Sequence, residues 1–389
     1  MTSKTVRKVI FGLHRYIGLA VGLMAIIVGL TGSLLVFQSE ISDFQRHNQI
    51  GTIMPKGEML PIEVVLNTVK NSYTNQPDAK INRIYVPTKP DEPFNVIYAT
   101  KENDWIENYV HPYTGVVLGN SLNSNSIDSF YKVIYELHYS LLVGDIGYKI
   151  VGTVGLLVCI LTITGIFLWP GWRNLLTGFK IKLDAHPKRV NFDIHKVAGV
   201  IAAVFLFFTF FTGFCWNFSE FSEPLIRAIT FSVKQEPVSQ YIPGQSPLKL
   251  TEQLKTAQAQ LPDAELRSVY FPQKPDSALM IRYKFPQEKE DGGNSYVYLD
   301  QYSDRILQVD NALKPLLGDR ILNSFNPLHY GTFGGLPTRI LYVFVGLAPL
   351  ILFITGFVMW QYRKRPTTNL FTEAMPTAKL SDHHRHRNN

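Results

Sequence analysis

Four histidines occupy matched positions along the 389-residue chain: His195 follows His14 by 181 residues, and His329 follows His138 by 191. The second pair sits in the short stretches Leu-His-Tyr-Ser (137–140) and Leu-His-Tyr-Gly (328–331), each shortly before an apolar run that ends in Thr-Gly and then Trp. The surroundings repeat with the histidines. Phe11 matches Phe192, Gly18 matches Gly199 and Thr31-Gly32 matches Thr212-Gly213; Gly155 matches Gly346, Thr164-Gly165 matches Thr355-Gly356 and Trp169 matches Trp360. Histidine at membrane depth is costly and usually faces a bundle interior or a cofactor. Two imidazoles at equal depth on separate helices offer one nitrogen to each side of a flat metal macrocycle. The competing chemistry is a proton relay, which calls for acidic partners. Glu136 and Asp145 lie near His138, but their counterparts near His329 are Pro327 and Leu336, so a relay is disfavoured. A single histidine near a membrane interface is more often a capping or packing residue; pairing by repeat and by depth is what favours ligation here.

The elements that must position these residues are apolar. Four stretches, 17–37, 150–169, 197–218 and 340–360, each approach the ~20 residues needed to cross a bilayer core. The first reads as an uncleaved helix, being too long for a leader and lacking a small-residue cleavage site. Basic residues set the orientation. Lys4, Arg7, Lys8 and Arg15 precede or open the first span, Arg173, Lys180, Lys182, Lys188, Arg189 and Lys196 fill the connection between spans 2 and 3, and Arg363, Lys364 and Arg365 follow the fourth. Both termini and that connection are therefore expected in the cytoplasm, which accounts for most of the net charge of +7 without invoking nucleic acid. The chain divides into helix 1 (1–40), an external domain (41–130), helix 2 (131–172), a cytoplasmic loop (173–189), helix 3 (190–218), a second external domain (219–320), helix 4 (321–365) and a cytoplasmic tail (366–389). The only cysteines, Cys159 and Cys215, fall inside spans, so no disulfide and no Cys-x-x-Cys-His site is expected outside.

The external segments repeat as well: Tyr-Val-Pro-Thr-Lys-Pro-Asp (85–91) matches Tyr-Phe-Pro-Gln-Lys-Pro-Asp (270–276). Each opens with a helical pattern, 61–71 and 247–260, and in the first copy strands are predicted around 82–87, 93–99 and 105–110. The predicted fold is a four-helix membrane bundle from a tandem duplication, bearing two small α+β domains, with its halves related by an axis along the membrane normal.

The stretches Leu-His-Arg-Tyr-Ile-Gly-Leu-Ala-Val-Gly (13–22) and Ile-Thr-Gly-Ile-Phe-Leu-Trp-Pro-Gly-Trp-Arg (163–173) resemble the signature of the PepSY-associated transmembrane family, over nearly the whole chain. That resemblance implies a bacterial inner-membrane protein with two PepSY-like periplasmic domains, akin to ferric-siderophore reductases that carry b-type haems. On this reading one haem b is held by His14 and His195 near the cytoplasmic face, and a second by His138 and His329 near the outer face. Gly18 and Gly199, one turn beyond their histidines, would let the macrocycle lie against the backbone, although helix packing alone also explains small residues. Arg15 and Lys196 would pair with propionates inside; Lys149 and Arg339 are weaker candidates outside, not being repeat-equivalent. A doubly ligated iron moves electrons, so the expected activity is that of a haem-dependent membrane oxidoreductase delivering electrons to a periplasmic Fe(III)-siderophore. No nucleotide-binding motif appears and the cytoplasmic loop is short, so quinol or a separate protein is the expected donor. Two alternatives are a non-enzymatic PepSY binding or inhibitory module on a membrane anchor, and a transporter. The latter expects helices broken at midplane, whereas Gly144, Gly147, Gly334, Gly335 and Pro337 lie near outer ends. Trp169, Trp216 and Trp360 read as interfacial anchors, the Thr-Gly pairs as structural, His111 (matching Asp300) as a turn residue, His47 as unmatched, and His383, His384 and His386 as a basic tail.

Overall fold

The computed structural model describes residues 3–73, 80–99, 105–121, 126–241 and 243–364. In chain order, α1 (Ser3–Leu35) leads into α2 (Gln38–Ile50) and α3 (Ile62–Ser72), followed by strands β1 (Lys80–Tyr85), β2 (Phe94–Ala99), β3 (Trp105–Val110) and β4 (Val117–Asn120). Then come α4 (Ser126–Ser140), α5 (Gly144–Leu168), the short α6 (Leu175–Phe179) and α7 (Pro187–Asn217). The second half continues with α8 (Ser219–Ile229), α9 (Leu250–Gln258), β5 (Glu265–Tyr270), β6 (Leu279–Lys284), β7 (Ser295–Leu299), β8 (Ile306–Asp310), α10 (Leu317–Tyr330) and α11 (Leu336–Lys364). Arg365, His383, His384 and His386 lie outside the described residues.

Four helices, α1, α5, α7 and α11, are long and apolar enough to cross a membrane, and the chain is a multi-pass membrane protein. In hydrocarbon every backbone group must be satisfied within its own helix, and helices associate through close packing, because lipid is as apolar as leucine. Glycines supply that closeness: a Cβ on Gly29 of α1 would lie 2.5 Å from the carbonyl oxygen of Gly346 on α11, and one on Gly155 of α5 would lie 2.9 Å from that of Phe210 on α7. Val21, Val28, Val158, Leu206 and Val345 form the apolar centre of the bundle.

Two departures from the sequence reading bear on the histidines. His138 and His329 were expected at the start of spans 2 and 4, but each sits on its own helix, α4 or α10, ahead of a break. Leu141 and Leu142 adopt left-handed φ values of 51° and 61°, and Gly331 and Gly335 of 70° and 67°, so a right-handed helix cannot run through either junction. At the far end, α7 begins at Pro187, capped by His186, so the connection 173–189 is partly helical.

The eight strands make one antiparallel sheet in the order β4-β3-β2-β1-β5-β6-β7-β8. The two strand-bearing segments, expected as separate external domains, are therefore fused through β1 and β5, with Ile84 facing Val269 across the seam. Separate four-stranded sheets would leave four strand edges open, and pairing β1 with β5 removes two of them, so that β4 and β8 form the edges. A single apolar cluster runs under the whole sheet: Val65 and Val69 of α3 and Ala257 of α9 pack on Ile84, Val96, Val269, Ile281 and Val297. The helical patterns 61–71 and 247–260 and the three predicted strands all appear within a few residues of their expected bounds.

Candidate functional site

The bundle brings the four histidines together in the expected pairs. The ring centres of His14 (α1) and His195 (α7) are 6.3 Å apart with planes at 85°. Those of His138 (α4) and His329 (α10) are 6.1 Å apart with planes at 78°.

Each ring is held in the same way, by a threonine. His14 Nδ1 lies 2.9 Å from Thr164 Oγ1, His195 Nδ1 2.8 Å from Thr355 Oγ1, His138 Nδ1 3.0 Å from Thr31 Oγ1, and His329 Nδ1 2.8 Å from Thr212 Oγ1. The direction of these bonds follows from counting protons. All four hydroxyls already donate to the carbonyl four residues back: Thr164 to Ile160, Thr355 to Ile351, Thr31 to Ile27 and Thr212 to Phe208, at 2.6–2.8 Å. A hydroxyl has one proton to give, so each threonine accepts and each Nδ1 donates. The carbonyl of Val28, 3.0 Å from His138 Nδ1, can only accept and fixes the same assignment. Nε2 is thereby left unprotonated on every ring, with its lone pair free for a metal. The glycine after each threonine makes room for the ring, since a Cβ on Gly32, Gly165, Gly213 or Gly356 would stand 3.0–3.5 Å from the histidine Cε1. The Thr-Gly pairs are structural, as expected, but what they also position is the imidazole. The signal was present in the sequence as a shared repeat, without a clue to which helix each threonine would face.

The pair His14 and His195 opens into a cavity of about 690 Å³ lined also by Gly18, Gly199, Arg15, Lys196 and Trp169. Gly18 and Gly199 meet their neighbours loosely, a Cβ reaching Leu161 at 3.7 Å and Leu352 at 3.5 Å, so cavity width rather than helix contact is what their small size provides. Arg15 donates to Tyr16 OH at 2.8 Å while its Nε is buried without a partner. Lys196 differs from its repeat partner. It is buried and bonded to Asp193 Oδ1 at 2.8 Å and to the Thr177 carbonyl at 3.0 Å, so its charge is already matched inside the protein. Trp169 is buried against Trp172 and Phe179 and does not serve as a lipid anchor; its Nε1 also lacks a partner.

A family model described as the PepSY-associated TM region matches residues 11–363. The chain belongs to that family. No match was found among curated proteins.

In this PepSY-associated chain the second pair, His138 and His329, has an aromatic wall. Trp216 lies 4.6 Å from the His329 ring centre and 5.8 Å from Tyr330, so this tryptophan, expected as an anchor, is part of the site. Arg339 is committed elsewhere: it pairs with Glu40 through both nitrogens and donates to the Val36 carbonyl, joining α11 to α2 and to the end of α1. Lys149 is exposed on α5. His111 accepts from the backbone of Tyr113 and Thr114, and Asp300 from that of Tyr302 and Ser303, so both are turn residues. Among the described residues no cluster of three or more His, Cys, Asp or Glu forms a free-standing metal site.

Proposed function

We propose that this protein carries electrons across a bacterial inner membrane through two bis-histidine b-type haems and reduces an Fe(III) chelate on the sheet side. The observation that carries the reading is the spacing of the rings. A metal–imidazole bond of ~2.0 Å, plus ~1.1 Å from nitrogen to ring centre, on both sides of one metal puts the centres ~6.2 Å apart, against 6.3 and 6.1 Å here. Two histidines cannot complete a metal site alone, so the remaining ligands must come from the group they hold, as a macrocycle's four nitrogens would. The inner cavity suits such a group in size and presents the unpartnered Arg15 Nε. Bound between His14 and His195, and between His138 and His329, haem would supply one-electron chemistry.

The chain's own residues do the rest. The threonines keep Nε2 deprotonated and the rings fixed, the glycines leave width, and Arg15 offers charge to a carboxylate-bearing edge. A tandem duplication is supported by the four equivalent His-Thr contacts and by the sheet's symmetric strand order. The basic residues near α1, α6 and α11 favour cytoplasmic termini and a periplasmic sheet. Fe(III) is held more tightly than Fe(II) by hard oxygen ligands, so its reduction frees the metal; quinol or a separate protein would donate.

The test is the visible spectrum of protein purified from haem-replete cells, oxidised and then dithionite-reduced. A sharp b-type α-band with about two haems per chain is expected, and His14→Ala and His138→Ala should each remove a different one. A colourless protein, or variants with unchanged haem content, would overturn the reading.

A further inference from the structure

The face of the sheet opposite α3 and α9 has a composition the electron-carrying reading leaves unexplained. At the seam, Arg83 of β1 faces Tyr270 of β5, and outward from it Arg282 of β6 faces Tyr296 of β7. The Arg83 guanidinium lies 4.9 Å from the Trp105 ring centre and 5.1 Å from that of Tyr270, and it donates to Tyr85 OH at 3.1 Å. Arg282 lies 5.6 Å from the Tyr296 ring centre. Tyr85 and Tyr270 are repeat-equivalent, so the patch straddles the junction of the two segments.

Ion pairing separates these two arginines from the others of the sheet and its turns. Arg227, Lys234, Arg267 and Arg305 all pair with carboxylates. Among the described residues, Arg83 and Arg282 have no carboxylate at ion-pair distance; Arg83 donates to Asn82 and Tyr85, and Arg282 to the Gly293 carbonyl. The resulting positive field is felt by Tyr270. Burial alone would raise its phenol, yet the neighbouring Ser268 hydroxyl and the charges of Arg282 and Arg83 hold it below the ordinary tyrosine range. The same face borders a cavity of about 970 Å³ lined by Tyr296, Tyr298 and Asp319. Asp319 lies on α10, about 15 Å of helix from His329.

We propose that this face binds an anionic, aryl-bearing oxygen chelate of a trivalent metal, with Arg83 and Arg282 reading its charge and Tyr85, Tyr270, Tyr296 and Trp105 stacking on its rings. The proposal rests on the reductase reading and names the substrate subclass: a tris-catecholate type rather than a neutral or cationic hydroxamate type. Guanidinium groups already laid against aromatic rings are planar donors held in place, suited to bidentate oxygen ligands.

Binding of the redox-inert Ga(III) tris-catecholate, by equilibrium dialysis against the full-length detergent-purified chain, tests this without any electron transfer. Binding should weaken with added salt, and Arg83→Gln/Arg282→Gln should raise Kd about tenfold or more, whereas Arg83→Lys/Arg282→Lys, which keeps the charge but not the planar fork, should fall between the natural chain and the glutamine variant. No binding by the natural chain, a Kd unmoved in the glutamine variant, or equal affinity for a neutral Ga(III) tris-hydroxamate would overturn the site. The haem spectrum of the same samples separates the two readings: a haem-free chain that binds sinks only the reductase, and a haem-loaded chain indifferent to both arginines sinks only this site.

Discussion

Thr31 on α1 holds His138 on α4 at 3.0 Å across 107 residues of chain, and the same contact recurs at the other three histidines. Each threonine sits on one long helix and each histidine on a different helix of the same half, so the bundle must close before any ring is oriented. Replacing such a partner of a metal-binding histidine typically costs 10–100-fold in metal affinity. Thr31→Val keeps the shape, removes the acceptor and frees the His138 tautomer. Titrated with haem, the variant should bind one equivalent normally and the second about 10–100-fold more weakly. Unchanged affinity at both sites would mean that the threonine only packs.

How much of this was legible beforehand depends on range. The spans, the histidine pairing and the positions of α3, α9 and β1–β3 follow from hydropathy, repeat spacing and local pattern, all of which are short-range or additive. The fusion of the two external segments through β1 and β5 was not legible, because Arg83 and Tyr270 meet across 187 residues and neither strand advertises its partner. The breaks after α4 and α10 were half visible. Glycines marked both, Gly144 at the first and Gly334 and Gly335 at the second, but the first also turns on two leucines with left-handed backbone, which no leucine pattern announces. Trp216 and Trp169 were misread for a related reason: a tryptophan near a span end looks the same whether it faces lipid or a neighbouring ring.

The ring planes at 85° and 78° also make a spectroscopic prediction. Two imidazoles held near-perpendicular by this chain would bring the d orbitals of a haem iron bound between them close to degeneracy. The oxidised, haem-loaded protein should then give strongly anisotropic low-spin EPR signals at helium temperature from both sites. Rhombic signals alone, as parallel imidazoles give, would count against the orientation that the four threonines impose.

The network around Asp319 ties α8 and the following segment to α10, which carries His329. Arg227 bonds Asp319 at 2.9 Å and Lys234 bonds it at 2.8 Å. Burial pushes the Asp319 carboxyl up, but the two cations outweigh it and hold the group below its ordinary value. A depressed folded-state value gives stability that is present above the unfolded value, ~3.9, and is lost as pH falls through the folded one. Asp319→Asn should cost about 2 kcal/mol at neutral pH, seen as a lower thermal midpoint. The gap between variant and natural protein should close below pH ~4. A gap independent of pH would assign the loss to packing.

Buried ionic matching at the inner end predicts a different sensitivity. Asp193 is fully buried and accepts from Lys196, from Arg189 at 3.0 Å and from the Lys182 backbone at 3.3 Å. Asp193→Asn leaves Lys196 charged, buried and unmatched, which costs about 3–5 kcal/mol. Asp193→Asn/Lys196→Met removes both charges together and should recover most of that loss in thermal midpoint. A double variant no better than the single one would show that the pair is not the unit.

A backbone-to-backbone approach between the two halves gives the last prediction. A Cβ on Gly346 would stand 2.5 Å from the Gly29 carbonyl oxygen and would also run into Ser33, whose hydroxyl donates to the Val343 carbonyl at 2.8 Å. Nothing soft lies in the way, so Gly346→Val must push α11 from α1. Overpacking of this kind costs about 1–3 kcal/mol, occasionally more. The displacement reaches both histidine pairs, because α1 carries His14 and Thr31 while α11 carries Thr355, the partner of His195. Gly346→Val should therefore lower the thermal midpoint and reduce haem at both sites. Gly18→Ala meets only Leu161, at 3.7 Å, so it should leave the midpoint alone and disturb the inner pair alone. Haem lost from just one pair in Gly346→Val would show that the halves are not coupled through this crossing.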